Sequence, residues 1–139
     1  EEESPPRPLR PRPALNRDNQ FWFEAAKEHR LVIQKCSDCG VLRHPPRPRC
    51  DKCGSYEHGA VEASGKGTIY SFVVIHYPQV PSFDYPLPVG LIALEEGTRL
   101  VADLTGAEAS EFKIDMPVIL EWQDLDPDLT LPAFRPVKL

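Results

Sequence analysis

Cysteine is the residue type in this chain with the most chemical potential, and its placement is regular. All four cysteines fall between Cys36 and Cys53, as Cys36-Ser37-Asp38-Cys39-Gly40 and Cys50-Asp51-Lys52-Cys53-Gly54, with ten residues between the two pairs. A two-residue spacer lets both thiolates of one unit face the same point, and the following glycine can take positive φ to close the turn. Two such turns facing each other offer four soft ligands in a tetrahedral array, the set that suits Zn²⁺. The gap is short for a ribbon and predicts a short connecting loop. Disulfides in one of three connectivities, or redox exchange at one Cys-x-x-Cys, are the other uses of these sulfurs. The narrow window and the lack of a secretory signal weigh against the first; the second leaves one unit without a purpose. A closed four-thiolate site has no open coordination position, so the predicted zinc is structural rather than catalytic.

No other motif supplies a catalyst. The chain holds no Gly-x-Ser-x-Gly, no His-Glu-x-x-His and no phosphate loop. Gly65-Lys66-Gly67 would need a third glycine where Tyr70 stands to make a dinucleotide fingerprint. Asp124-Leu125-Asp126-Pro127-Asp128 invites a calcium reading, but Leu129 and Arg135 stand where the loop needs Gly and Glu. His29, His44, His58 and His76 are scattered, and only His76 follows a predicted strand end where a base would be useful. His44 is expected at the surface rather than as a metal ligand. Arg43, Arg47 and Arg49 form a basic cluster, read as solvated or as a phosphate contact.

The elements that must position the cysteines follow from pattern. A helix is predicted over 16–30, with Asn16 or Asp18 as cap and Lys27 and Arg30 near its end. Phe21, Trp22 and Phe23 cannot all face one core, because successive helical side chains project about 100° apart. At least one ring is therefore expected to pack on a neighbouring module or to anchor a partner. Leu31 to Lys35 and Val41 to His44 predict a hairpin with the metal at its tip. From Ser64 the pattern turns to strands: 69–77, 89–94, 99–104 after a turn at Glu96-Gly97, 114–122 with Pro117 at an edge or start, and a short closing strand at 134–137. Five short antiparallel strands entered through glycines predict a closed barrel of the OB type. The expected architecture is mainly β: a proline-rich arm or linker over 1–15, a helix and rubredoxin-like zinc ribbon over 16–63, and a five-stranded OB barrel over 64–139. The arm reads as a solvated spacer or a docking segment. The long 78–88 loop, with Phe83 and Tyr85 among its prolines, reads as a binding element or an excursion.

Composition limits the partners. The hydrophobic share of 41% and charged share of 27% are those of a globular domain, and no apolar run is long enough to span a membrane. Cytoplasmic residence with reduced thiols is the expectation. Residues 1–59 carry 11 basic and 9 acidic side chains, whereas residues 60–139 carry 5 and 12. An acidic barrel opposes nucleic acid as a partner, because phosphate binding depends on Lys and Arg.

Taken in order, the motifs resemble one family. Phe21-Trp22, Leu-Val-Ile-Gln-Lys-Cys-x-x-Cys-Gly, Pro45-Pro46-Arg47, Cys50-x-x-Cys-Gly, Gly65-x-Gly-Thr-Ile-Tyr-Ser71 and Phe134-Arg135-Pro136 are similar to the zinc-ribbon/OB-fold family, long a domain of unknown function, that accompanies thiolase-like enzymes acting on acyl-CoA. The resemblance covers about residues 18–137. It implies a non-catalytic subunit that binds a thiolase-superfamily partner and supports its activity. Members stand alone or are fused behind a hotdog-fold hydratase-like domain in steroid degradation, where the partner is an aldolase cleaving a steroid side-chain CoA thioester by retro-aldol reaction. The proline-rich arm and the lack of an initiator Met look like the cut end of such a fusion. Carried over by position, Cys36, Cys39, Cys50 and Cys53 match the zinc ligands, and no catalytic residue is placed on this chain. Phe21, Trp22, Phe83 and Tyr85 are the expected partner contacts, with acyl-CoA met through the partner. Two other readings stand beside this one: a nucleic-acid-binding OB and ribbon module, and a stand-alone acyl-CoA-binding protein or enzyme.

Overall fold

The computed structural model describes residues 9–11 and 13–137; residues 1–8 and 12 of the predicted arm lie outside the described residues. The helix α1 spans Gln20–Lys27, shorter than the 16–30 expected. Asn16 explains the late start: its side-chain oxygen accepts the backbone N–H groups of Asp18 and Asn19 at 2.9 and 3.0 Å, holding a turn in place of a helix. The end is equally local. His29 takes φ of 58°, its N–H bonds to the Ala26 carbonyl at 2.9 Å, and Arg30 N–H reaches back to Ala25 at 2.9 Å. This is a left-handed helix stop with histidine where glycine is usual. Trp22, Ala25 and Ala26, one stripe of the helix, are buried.

The predicted hairpin is present as β1 (Val32–Cys36) paired antiparallel with β2 (Leu42–Arg43). A third strand, β3 (His58–Glu62), escaped the sequence reading. It pairs with β1 from Val32↔Glu62 to Cys36↔His58, giving the order β2-β1-β3. Its side chains are nearly all exposed, so it carries no apolar alternation to betray it.

The five remaining strands close into a barrel of order β4-β5-β6-β8-β7. They are β4 (Lys66–Ile75), β5 (Leu87–Leu94), β6 (Arg99–Leu104), β7 (Pro117–Asp126) and β8 (Leu129–Pro136). Closure uses one short parallel pairing, Asp103↔Ala133 and Leu104↔Phe134, with the other neighbours antiparallel. β8 is the largest departure from expectation: it starts at Leu129 rather than Phe134, because Pro132 and Pro136 disguise a strand whose other residues are largely buried. Pro117 stands at a strand start, as its missing N–H requires. Gly67 is needed for proximity: a Cβ there would lie 2.7 Å from the Ala93 carbonyl oxygen across the β4–β5 pair.

One hydrophobic cluster joins Trp22, Leu31 and Ile33 to Ile69, Ile92, Leu104 and Phe134. Helix, ribbon and barrel therefore share a single core, and the cysteine turns project from a base anchored to the barrel.

Candidate functional site

Each cysteine turn is built by the same local rule. Gly40 N–H bonds to the Cys36 carbonyl at 3.0 Å and Gly54 N–H to the Cys50 carbonyl at 2.9 Å, and both glycines take φ of 78°. Together the turns bring four Sγ atoms within 4.8 Å of one another. Cys36 lies 3.5 Å from Cys53 and Cys39 lies 3.6 Å from Cys50. A disulfide needs about 2.05 Å, and all four thiols are free. A tetrahedron of thiolates at the Zn–S distance of about 2.3 Å sets its sulfurs about 3.8 Å apart. These two close pairs run between the units rather than within them, as one shared ion requires.

The electrostatics also ask for a cation. Backbone N–H groups of Cys39 and then Asp38 aimed at Cys36 bring its thiol down to about 6. At Cys53 the Ser55 N–H favours the thiolate, but the Cys36 sulfur, burial and the other sulfurs outweigh it and push the thiol up to about 12. Four thiolates at this spacing ionise together only around a positive charge. The donor set, its closed geometry and its charge fit a structural metal.

A polar layer under the turns fixes them. Gln34, 1% exposed, accepts from Arg43 Nε and from Arg47 N–H, both at 2.8 Å, and donates to the Arg47 carbonyl at 2.9 Å. The basic cluster is thus not simply solvated: Arg43 is buried in this network, and Arg49 donates from Nε to the Gly54 carbonyl at 3.0 Å. Ser55 donates from its hydroxyl to Asp38, tying one cysteine turn to the other. His44 is half-buried against the Trp22 ring at 5.8 Å rather than at the open surface, and burial lowers its pKa.

The expected partner contacts are not gathered on one open surface. Trp22 is only 8% exposed and meets Phe23 edge-on at 4.9 Å, so it belongs to the core, contrary to a free anchor. Phe21 is half-buried and tilts against His58 at 6.0 Å. Phe83 lies under the Arg10 guanidinium at 4.6 Å, and Arg10 pairs with Asp103 at 2.9 Å. Trp22 and Phe83 line one cleft of about 260 Å³ that Arg10 and Pro11 border. Tyr85 turns into its own loop, its hydroxyl accepting from Val80 N–H at 2.9 Å.

Two features went unread in the sequence. His29 joins the helix end to β7 through Asp124, a contact 95 residues apart that no local pattern encodes. Val73 and Val101 stand 58% and 66% exposed on the barrel. The absence of any polar side chain between Leu87 and Leu94 was the signal for this second feature.

A four-cysteine ribbon packed through a helix onto a closed OB barrel defines a small two-module protein class. Two family models match the chain: the ChsH2 rubredoxin-like zinc ribbon domain over residues 23–58 and the ChsH2 C-terminal OB-fold domain over residues 60–123. Among curated proteins, a DUF35 domain-containing scaffold protein of Pyrococcus furiosus is 37% identical over 103 residues, covering 72% of this chain and 74% of that protein. The chain belongs to the DUF35 family of zinc-ribbon/OB-fold proteins, with domains of the ChsH2 type. A probable enoyl-CoA hydratase alpha subunit of Thermomonospora curvata is 56% identical over 134 residues, 96% of this chain and 42% of that one. The 3-oxo-4,17-pregnadiene-20-carboxyl-CoA hydratase alpha subunit of Mycobacterium tuberculosis is 42% identical over 125 residues, 90% of this chain and 40% of that one. The chain thus spans about two fifths of the length of these two relatives. A solved structure described as the Ltp2-ChsH2(DUF35) aldolase matches with a TM-score of 0.88 and 56% identity, covering 90% of this chain and 98% of the matched one. The relatives are thus named as scaffold proteins in the archaeal cases and as hydratase alpha subunits in the two longer ones. Among the described residues no helix is long and apolar enough to cross a membrane.

Proposed function

We propose that the chain is the scaffold component of a thiolase-superfamily aldolase that cleaves a steroid side-chain CoA thioester by retro-aldol reaction. The observation that carries this reading is the match to the ChsH2(DUF35) chain of an aldolase, 56% identical along 98% of that chain. The steroid side chain is supported by the relative named for a pregnadiene carboxyl-CoA. Retro-aldol cleavage breaks a carbon–carbon bond and leaves its electron pair beside the thioester carbonyl. Such a carbanion forms in a dry, preorganised site. Catalytic groups come from the partner in this division of labour, and the acyl-CoA substrate is met through it. This chain supplies a rigid wall, since one core locks helix, ribbon and barrel together.

The ion at Cys36, Cys39, Cys50 and Cys53 is Zn²⁺ in this reading, held by four thiolates with no coordination position left for substrate. Its contribution is folding energy for the ribbon. The acidic balance of residues 60–139 disfavours the nucleic-acid alternative.

Co-expression with the thiolase-like aldolase subunit of the same genome tests the proposal. The two chains are expected to co-elute in size-exclusion chromatography with one zinc per copy of this chain. Separate elution at micromolar concentration contradicts the reading.

A further inference from the structure

The barrel carries an apolar outer face on β4, β5 and β6 that the described residues cover only in part, Arg10, Pro11 and Phe83 lying beside its Val89–Asp103 end. β5 has no polar side chain on either of its faces. Gly90, Ile92 and Leu94 are buried on the inner face. On the outer face, Val89 lies opposite Val73 and Asp103, and Leu91 lies opposite Ser71 and Val101. Ser71, Val73, Val89, Leu91 and Val101 line a shallow groove of about 170 Å³, with Asp103 outside it. A strand with one face to water ordinarily alternates apolar and polar residues, and a contiguous exposed apolar patch marks an interaction surface.

The charges that flank the groove are already engaged within the chain. Arg99 lies over the Tyr70 ring at 3.8 Å, and Asp103 is paired with Arg10 at 2.9 Å. The face therefore offers shape and apolar area rather than charge, which suits neither phosphates nor an acidic peptide. The ChsH2(DUF35) chain matched along 98% of its length belongs to a structure that also names Ltp2. A surface that meets such a subunit lies within the region this chain shares.

We infer that the β4–β5–β6 face, centred on Val73, Leu91 and Val101, receives an apolar, uncharged patch of the thiolase-like partner subunit. This assignment rests on the partner reading above and names the surface that serves it. Both valines point away from the core, so a charge placed there enters the interface without disturbing the barrel.

The test is a binding titration by calorimetry with the zinc-loaded chain and the separately purified thiolase-like aldolase subunit of the same genome. Val73→Glu and Val101→Glu are each expected to raise Kd at least tenfold with an unchanged melting temperature, while Val101→Thr has a smaller effect. Tight binding by wild type and by both Glu variants overturns the face but leaves the scaffold function standing. No binding by wild type overturns both. Sedimentation of the isolated wild-type chain as a dimer that Val101→Glu dissociates would show that a second copy covers the face, and would also overturn the assignment.

Discussion

The imidazole of His29 stacks on the indole of Trp122, with centroids 5.5 Å apart and planes 6° from parallel, while its Nε2 donates to Asp124 at 2.8 Å. One residue that ends the helix thereby fastens the ribbon-bearing module to β7 twice. Thr130 Oγ1 donates to the same carboxylate at 2.8 Å. Replacing His29 with Ala is expected to destabilise the chain by about 1 kcal/mol through the lost ring contact. Urea unfolding monitored by tryptophan fluorescence measures it.

The same clasp gives a pH prediction. The hydrogen bond from His29, then that from Thr130, holds the Asp124 carboxyl below its ordinary value of 3.8. A carboxyl depressed in the folded state stabilises above its unfolded pKa and loses that contribution as pH falls through the folded one. The stability gap between wild type and Asp124→Asn should therefore shrink as pH falls below 3.8. Chemical denaturation from pH 6 to about 2.5 covers that window.

Gln34 is the polar node beneath the metal turns. Gln34→Ala leaves Arg43 Nε and the Arg47 N–H without their acceptor, while the Arg43 guanidinium keeps only the Arg47 carbonyl, at an expected cost of about 3 kcal/mol. Zinc release to a chromophoric chelator should also quicken in this variant, since the loop leading to Cys50 loses its anchor.

Metal removal should unfold the ribbon before the barrel. Cys39→Ser is expected to lower bound zinc well below one per chain and to raise backbone hydrogen exchange across residues 32–62. Full zinc stoichiometry in this variant would contradict the four-cysteine site.

Two positions test how tightly helix and barrel are packed. Trp22→Ala is expected to cost about 3–5 kcal/mol of stability, because the ring is buried in the shared core. Gly67→Ala is expected to cost about 1–3 kcal/mol, since its Cβ would press on the Ala93 carbonyl oxygen and Ile92. Thermal melts of both variants give the comparison.

What the sequence revealed follows from how far each constraint reaches along the chain. The metal turns were legible because Cys-x-x-Cys-Gly encodes its geometry within five residues. The hairpin β5–β6 was legible for the same reason, with Gly97 at φ of 100° closing it. β3 was not, because its stability comes from pairing with β1 rather than from its own side chains. Which of the three consecutive aromatics would be buried depended on how α1 is rotated against β8, a tertiary fact. Arg43 was read as a surface cation because its partners, Gln34 and the Arg47 carbonyl, converge only in the folded ribbon. The early start of β8 was hidden by prolines whose missing donors a barrel can tolerate but a pattern cannot foresee.

Retro-aldol turnover by the separated and recombined subunits tests the scaffold account most directly. A steroid side-chain CoA thioester carrying the β-hydroxyl group is incubated with the partner alone, this chain alone and the two together, and the released carbonyl product is followed by mass spectrometry. The account predicts no turnover by this chain, little by the partner, and robust cleavage by the pair. Cleavage by this chain unaided, or full activity of the partner without it, would contradict that account.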